Sequence, residues 1–233
     1  MVNPVNLSSP ISFPQDRPLA IFCDFDGTFS VQDVGSTLAQ QLLPERRASL
    51  WQRFADGEFT AWTYVIALLE GLDLPEKQLY EFLETIDLDP GAKDMLAWCD
   101  VEDVPFRILS DGFDWNLERL QAINEVRFEF NANHLNYEGD LWRLSPGAPS
   151  DTCGCGTGSC KSGLISAYRA ANNNAFCVHI GNGKVSDLCG AVEADLAFAK
   201  DTLAPALEEM GEEFVAFETL HNVLDVLRAG RQA

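Results

Sequence analysis

Asp24 and Asp26 stand two residues apart in Asp24-Phe25-Asp26-Gly27-Thr28, directly after the apolar run Leu19 to Cys23. Side chains two apart on an extended segment share a face, and Gly27 with Thr28 permits a tight turn. Both carboxylates can therefore address one small volume where a strand ends, and in a parallel sheet that end is where ligands bind. Like charges held this close call for a cation. The pair points to Mg²⁺ with oxygen ligands and to one carboxylate acting as a nucleophile. The same five residues also read as a strand followed by an ordinary Asp-Gly turn, so the chemistry needs support from elsewhere in the chain.

Three further polar positions supply it. Ser110 ends the strand-like run Pro105 to Leu109 and is followed by Asp111-Gly112; Lys161 opens a helical stretch; Asp187 lies beyond the apolar run Ala175 to Ile180 and the turn Gly181-Asn182-Gly183. A hydroxyl can donate to a phosphoryl oxygen, an ammonium can neutralise charge beside the nucleophile and the phosphate, and a third acidic residue can complete a hard-metal shell. Taken singly, each has a plainer reading: a turn serine, a solvated lysine, a helix N-cap.

The elements that must hold these groups follow from periodicity and punctuation. Apolar residues recur at helical spacing from Leu38 to Leu83, interrupted at Pro44, Gly57, Gly71, Pro75 and Pro90, which predicts several short helices inserted after the first motif. The aromatic residues Trp51, Phe54, Phe59, Trp62 and Tyr64 are expected chiefly to form the core of that insert, with one or two of them as the candidates to face a bound ligand. Beyond it, strand-like runs near Phe106, Phe128 to Phe130, Leu141 to Arg143, Phe176, Asp195 to Ala199 and Phe214 to Phe217 alternate with helical stretches at 114–124, 161–171, near Asp187 and at 220–228. The pair around Phe128 and Leu141 reads as a hairpin or short excursion. The expected class is α/β: a Rossmann-like doubly wound parallel sheet core from residues 19–30 and 100–233, with an inserted helical cap at 31–99. Residues 1–18, with four prolines among Asn and Ser, are expected to be an extended leader that adds no core.

With 36 acidic against 16 basic residues the formal charge is −20, which repels polyanions and argues against nucleic-acid binding. A small phosphorylated metabolite remains compatible, because a metal ion and one or two cations can dominate the field inside a pocket. No apolar stretch has the length of a membrane span. An odd count of seven cysteines is a poor disulfide framework and fits a reducing cytoplasm. Three of them crowd into Cys153-Gly-Cys155-Gly-Thr-Gly-Ser-Cys160. They offer three soft ligands that Asp151, His134 or another residue could complete into a zinc site. Because zinc spacing of the usual kind is absent, the preferred reading is a loop of small packed thiols. His179 falls within a strand and is read as core; none of the three histidines is assigned to catalysis.

From about Leu19 onward the chain resembles the haloacid dehalogenase superfamily of phosphohydrolases. The resemblance rests on DFDGT, on Ser110 in ILSDG, on Lys161, and on IGNGKVSD ending at Asp187. It implies that Asp24 is the nucleophile that forms an aspartyl-phosphate and Asp26 the general acid/base. It further implies that Thr28, Ser110, Asp111, Gly112 and Lys161 surround the phosphate, and that Mg²⁺ is held among Asp24, Asp26, Asp187 and Asn182. An acidic residue at the second motif position points to phosphatases and phosphomutases. One motif departs from the pattern: members usually carry Gly-Asp where this chain has Gly181-Asn182, and a neutral ligand should hold the metal less tightly. Within the superfamily the cysteines before Lys161 and the run from Ser186 to Lys200 are similar to the 2-hydroxy-3-keto-5-methylthiopentenyl-1-phosphate phosphatases and their phosphocholine phosphatase relatives. The position of the insert is like that of phosphoserine phosphatases. The expected function is an Mg²⁺-dependent phosphomonoesterase on a small metabolite, the methylthiopentenyl phosphate first, with a phosphoserine- or phosphocholine-type ester next. The alternative is a catalytically impaired phosphate-binding or regulatory relative.

Overall fold

The computed structural model describes residues 11 and 13–232. Five consecutive buried apolar residues, Leu19–Cys23, form β1, as expected for a strand covered on both faces. Six more strands follow: β2 (Phe106–Phe113), β3 (Glu129–Glu138), β4 (Leu141–Ser145), β5 (Phe176–Gly181), β6 (Leu196–Ala199) and β7 (Val215–Ala216). They pair in the order β4-β3-β2-β1-β5-β6-β7, parallel everywhere except between β3 and β4. The chain builds outward from β1 on one side through β2 to β4, then returns to its other side with β5. The carboxyl end of β1 is therefore the switch point at which open α/β sheets bind ligands.

Alternation along β1 divides its side chains between two layers. Leu19, Ile21 and Cys23 join the large core, which includes helices α5 (Ala92–Val101), α6 (Asp114–Asn124) and α10 (Leu220–Gln232). Ala20 and Phe22 face the other way and pack with Ile165 of α7 (Lys161–Ala171). Asp24, next in that parity, leaves the strand on the α7 side, and Lys161 is the first residue of α7. The remaining helices of the core are α8 (Leu188–Glu193) and α9 (Leu203–Met210).

The insert consists of α1 (Val34–Leu42), α2 (Pro44–Ala55), α3 (Ala61–Leu69) and α4 (Glu76–Leu83). An isolated bridge between Ser30 and Leu88 brings its two ends together. α5, expected within the insert, instead packs against α10 with the core. The expected hairpin forms between β3 and β4, while the length of β3 and part of the leader differ from expectation. The strand at Phe130 runs on to Glu138 and is a full member of the sheet, because its first half pairs with β2 and its second with β4. β4 also supports the insert: Trp142 Nε1 donates to Leu74 O at 2.8 Å, and Leu144 N–H to Glu70 Oε2 at 2.9 Å. Of the expected leader, residues 1–10 and 12 lie outside the described residues. Phe13, by contrast, is buried against Phe176, with ring centroids 5.7 Å apart, and Arg17 pairs with Asp195 at 2.8 Å. That stretch adds core. No helix among the described residues is long and apolar enough to cross a membrane.

Candidate active site

Asp24 follows the last residue of β1, and its N–H donates to Ile180 O at 2.8 Å, so the first motif is stitched to the end of β5. The chain then makes one wide turn over Phe25–Phe29, with Gly27 at φ +77°. A side chain on Gly27 would be strained by that φ, and its Cβ would meet Asn182 Nδ2 at 2.5 Å. The glycine thus lets the motif close against the loop after β5.

Asp24 and Asp26 divide into different environments. Asp24 Oδ1 accepts from Lys161 Nζ at 2.5 Å, and Lys161 also donates to Asp187 Oδ1 at 2.5 Å. Asp24 Oδ2 has no hydrogen bond among the described residues, and the side chain lines a cavity of about 310 Å³. Burial, with the charge of Asp187, pushes the Asp24 carboxyl well above its usual range against the pull of Lys161. Asp26 accepts from the Val34 N–H at the start of α1 (2.9 Å) and from the Ser110 hydroxyl (3.2 Å). Burial foremost, then the charge of Asp33, raises its carboxyl to about 7. Asp24 thus sits in an ion pair with one oxygen free, and the Asp26 carboxyl, raised to about 7, sits between two donors.

Lys161 and Asp187 are wholly buried behind Asp24 and do not line the cavity. Desolvation lowers the lysine, but Asp187 and Asp24 outweigh it and hold the ammonium charged. Asp187 is fully committed: Oδ1 faces Lys161 and His179 Nε2 (3.2 Å), and Oδ2 accepts the N–H groups of Asn182 (3.1 Å) and Gly183 (2.8 Å). Burial opposes its ionisation, yet Lys161 and His179 keep its carboxyl well below the usual range. Burial holds His179 below its ordinary value and hence neutral; facing an ionised carboxylate, it donates from Nε2, and Nδ1 is buried without a partner among the described residues. The strand position of His179 reveals its burial but not this contact. α8 comes close enough to fix the lysine stem only because Gly190 is there: a Cβ would lie 2.9 Å from Lys161 Cβ and 3.3 Å from His179 Nε2.

Among the other expected site residues, Ser110 and Gly112 reach the cavity, and Ser110 Oγ accepts the Gly112 N–H at 2.8 Å. Thr28 is buried, does not line the cavity, and its hydroxyl has no partner among the described residues. Asp111 borders the cavity, but its Oδ1 accepts the N–H groups of Gly158 (2.9 Å) and Ser159 (3.2 Å) and the Asn133 amide (3.1 Å). It fastens the glycine-rich loop that leads into Lys161. Asn133, unremarked in the sequence, is its buried partner and also accepts from Gly147 N–H and Ser159 Oγ, each at 3.1 Å. The only signal for it is a polar residue at a buried strand position.

Asn182 donates from Nδ2 to Asp201 Oδ2 at 3.3 Å, and its Oδ1 is unengaged among the described residues. The carboxylate oxygens of Asp24 and the side-chain oxygen of Asn182 are hard donors of the kind Mg²⁺ takes. Three buried or nearly buried carboxylates, Asp24, Asp26 and Asp187, share one ammonium, so the pocket is short of positive charge and a divalent cation fits it. Asp26 and Asp187, expected as ligands, have both oxygens hydrogen-bonded already.

The cap closes the cavity with Arg47, Trp51, Tyr64, Val65, Leu68 and Leu69, opposite Phe113 and Leu117 of the core. Two of the insert aromatics, expected chiefly to be internal, thus face the ligand space. The Arg47 guanidinium lies 5.1 Å from the centre of the Trp51 ring and has no ion-pair partner among the described residues.

Two neighbouring carboxylates with unlike partners beneath a cap, at the switch point of an α/β sheet, make the layout of a group-transferring hydrolase. Residues 21–191 match the haloacid dehalogenase-like hydrolases, and the chain belongs to that family. A 2-hydroxy-3-keto-5-methylthiopentenyl-1-phosphate phosphatase of Brevibacillus brevis is 27% identical over 93% of this chain and 98% of its own. The protein of the same name from Bacillus cereus is 25% identical over 90% and 96%. Among solved structures, a haloacid dehalogenase family hydrolase of Salmonella enterica serovar Typhi superposes with a TM-score of 0.70 at 21% identity, covering 92% of this chain and 72% of that one. A phosphoserine phosphatase solved as a phospho-aspartyl intermediate analogue gives 0.67 at 16%, covering 90% and 98%. The protein is a phosphomonoesterase of this family.

Proposed function

We propose that this phosphomonoesterase hydrolyses a small phosphorylated metabolite through a phosphorylated Asp24. The observation that carries the reading is the different partners of the two motif carboxylates that line the cavity: Asp24 is paired with Lys161 and keeps one oxygen free, whereas Asp26, raised to about 7, accepts from Val34 N–H and the Ser110 hydroxyl. Asp24 Oδ2 attacks phosphorus as the bond to the ester oxygen breaks, and Asp26 gives its proton to that oxygen. Asp26, now a carboxylate, takes a proton from water; the water oxygen bonds to phosphorus and the bond to Asp24 breaks. Ser110 offers its hydroxyl to the phosphoryl group by turning from Asp26, and Lys161 offsets the burial that favours a protonated Asp24 and orients that carboxylate, itself kept in place by Asp187. Asn182, with Asp24 through the carboxylate oxygen that does not attack, would hold Mg²⁺, which when bound supplies charge for the phosphoryl oxygens. The cap excludes bulk water.

The cavity also bears on the substrate. Its cap side combines apolar side chains with Arg47, a cation without an ion-pair partner among the described residues, which suits a leaving group with an apolar tail and a carbonyl or enolate oxygen and repels a quaternary ammonium. That favours a methylthiopentenyl-type phosphate, the compound in the names of the Brevibacillus and Bacillus relatives, over phosphocholine. Phosphate release from these two esters and from phosphoserine, with Mg²⁺ present, tests the assignment. The reading expects the highest kcat/KM for the keto ester; equal or better turnover of phosphocholine would overturn the substrate class. No hydrolysis of any ester, together with retained phosphate binding, would favour an impaired relative, for which Asn182 is the specific pointer.

A further inference from the structure

The cysteine loop before Lys161 acquires in three dimensions the ligand it lacks in sequence. Cys153, Cys155 and Cys160 meet Cys189, from the first turn of α8, and the four sulfurs lie within 4.8 Å of one another. All four are free thiols, and Cys160 is buried. The fourth position is not taken by His134, which pairs with Asp114 at 2.7 Å. A tetrahedral zinc with Zn–S bonds of about 2.3 Å has S···S edges of about 3.8 Å, so the sulfurs need contract by no more than about an ångström. Hydroxyls already attend three of them: Thr157 Oγ1 at 3.1 Å from Cys155 Sγ, and Ser162 Oγ at 3.3 Å from Cys160 Sγ and 3.4 Å from Cys153 Sγ. Such outer hydrogen bonds orient thiolate ligands and temper their charge.

We propose that Cys153, Cys155, Cys160 and Cys189 form a structural Zn²⁺ site, separate from the Mg²⁺ pocket. Four thiols lose their protons on binding, and four sulfur ligands leave no open position for catalysis. The placement gives the site its purpose. Cys160 precedes Lys161 and Cys189 follows Asp187 by two residues, so a shared zinc clamps together the two segments that carry the buried lysine and its carboxylate. The loop also reaches the cap, where Trp62 N–H donates to Gly156 O at 2.9 Å. A metal there would fix the floor of the pocket and one contact of its lid together.

The test uses the full chain purified from zinc-replete cells without strong chelators. Elemental analysis is expected to give about one zinc per chain, and Cys155→Ser/Cys189→Ser to lower that to less than about a fifth. Wild-type protein reloaded with Co²⁺ should show sulfur-to-cobalt charge transfer in the near ultraviolet and the intense visible bands of a tetrahedral thiolate site. Cobalt in the Mg²⁺ pocket, bound by oxygen, gives no such charge transfer. The cobalt spectrum needs only wild type, so misfolding of the variant does not blunt the test. Wild type lacking stoichiometric zinc and sulfur-to-cobalt charge transfer would overturn the proposal, as would an intact mass lowered by loss of thiol hydrogens to disulfides among these cysteines. Iron in place of zinc would refute the choice of metal.

Discussion

Asp187 is placed to be judged by stability as well as by rate. In this structure it accepts five hydrogen bonds, the longest from the Ser186 hydroxyl at 3.5 Å, and is completely buried. Replacing it with Ala leaves Lys161 with Asp24 alone, and leaves two backbone N–H groups and His179 without an acceptor. Breaking a buried ion pair from one side costs about 3–5 kcal/mol. For a chain of this size each kcal/mol moves Tm by roughly 2–4 °C, so Asp187→Ala should lower Tm by about 6–20 °C. Asp187→Asn keeps one acceptor but turns an amide N–H₂ toward other donors, and should lose a little less. Thermal unfolding at pH 7 with a magnesium chelator present reads this without a contribution from the ion. The pH dependence has a fixed sign: the folded carboxyl titrates below the unfolded value of about 3.9, so its stabilisation is present above that pH and fades as pH falls further. Wild type and Asp187→Asn should therefore converge below about pH 4. Combined with Lys161→Met, the second substitution should cost less than it does alone, because the partners are in contact. A Tm for Asp187→Ala within about 2 °C of wild type would refute a carboxylate that holds the lysine, since such a shift is less than a surface-scale effect.

Other outcomes follow from the same geometry. Asp26→Asn should slow esters with poor leaving groups by about 10²–10⁴ and activated aryl esters far less; equal losses on both would remove Asp26 as proton donor. In wild type the rate on poor leaving groups should fall as pH rises through the Asp26 titration, about 7 without the field of the ion and lower with it, and a flat alkaline limb would contradict that. Gly190→Ala should destabilise by about 1–3 kcal/mol by forcing α8 off Lys161 and His179, measured by denaturant unfolding; wild-type stability and activity would show that the close approach is dispensable. Asn182→Asp should lower the Mg²⁺ concentration for half-maximal activity and Asn182→Ala should raise it; identical titrations would put Asn182 outside the metal shell.

What the sequence discloses is what is local. DFDGT after an apolar strand, Ser110 at the end of another and the alternation of strands with helices each lie within a few residues, and periodicity and turn chemistry read them directly. The helix at Leu203–Met210 goes unread although Leu203, Ala206 and Leu207 carry helical spacing, because a short amphipathic segment between two strands reads as loop. The arrangement around Asp187 was not legible, because it depends on a lysine 26 residues earlier and a histidine 8 residues earlier arriving at the same carboxylate. Cys189 is similar: nothing in its neighbourhood links it to the loop at 153–160 until α7 and α8 are packed. Asn133 and Asp111 hold that loop through contacts across a strand pair and a long connection. The inward turn of Trp51 and Tyr64 reflects the docking of the cap, which helical spacing does not specify.

The most direct test of the reaction is to catch the phosphoryl group on the chain. Wild type mixed with Mg²⁺ and a turned-over ester, quenched in acid during steady state and reduced with borohydride, converts an aspartyl-phosphate to homoserine, which peptide mass spectrometry assigns to a residue. Homoserine at Asp24, absent from Asp24→Asn, which should retain the fold but lose at least about 10²-fold in rate, is the predicted result. Steady turnover with no label at Asp24, or with undiminished rate in Asp24→Asn, would contradict the account.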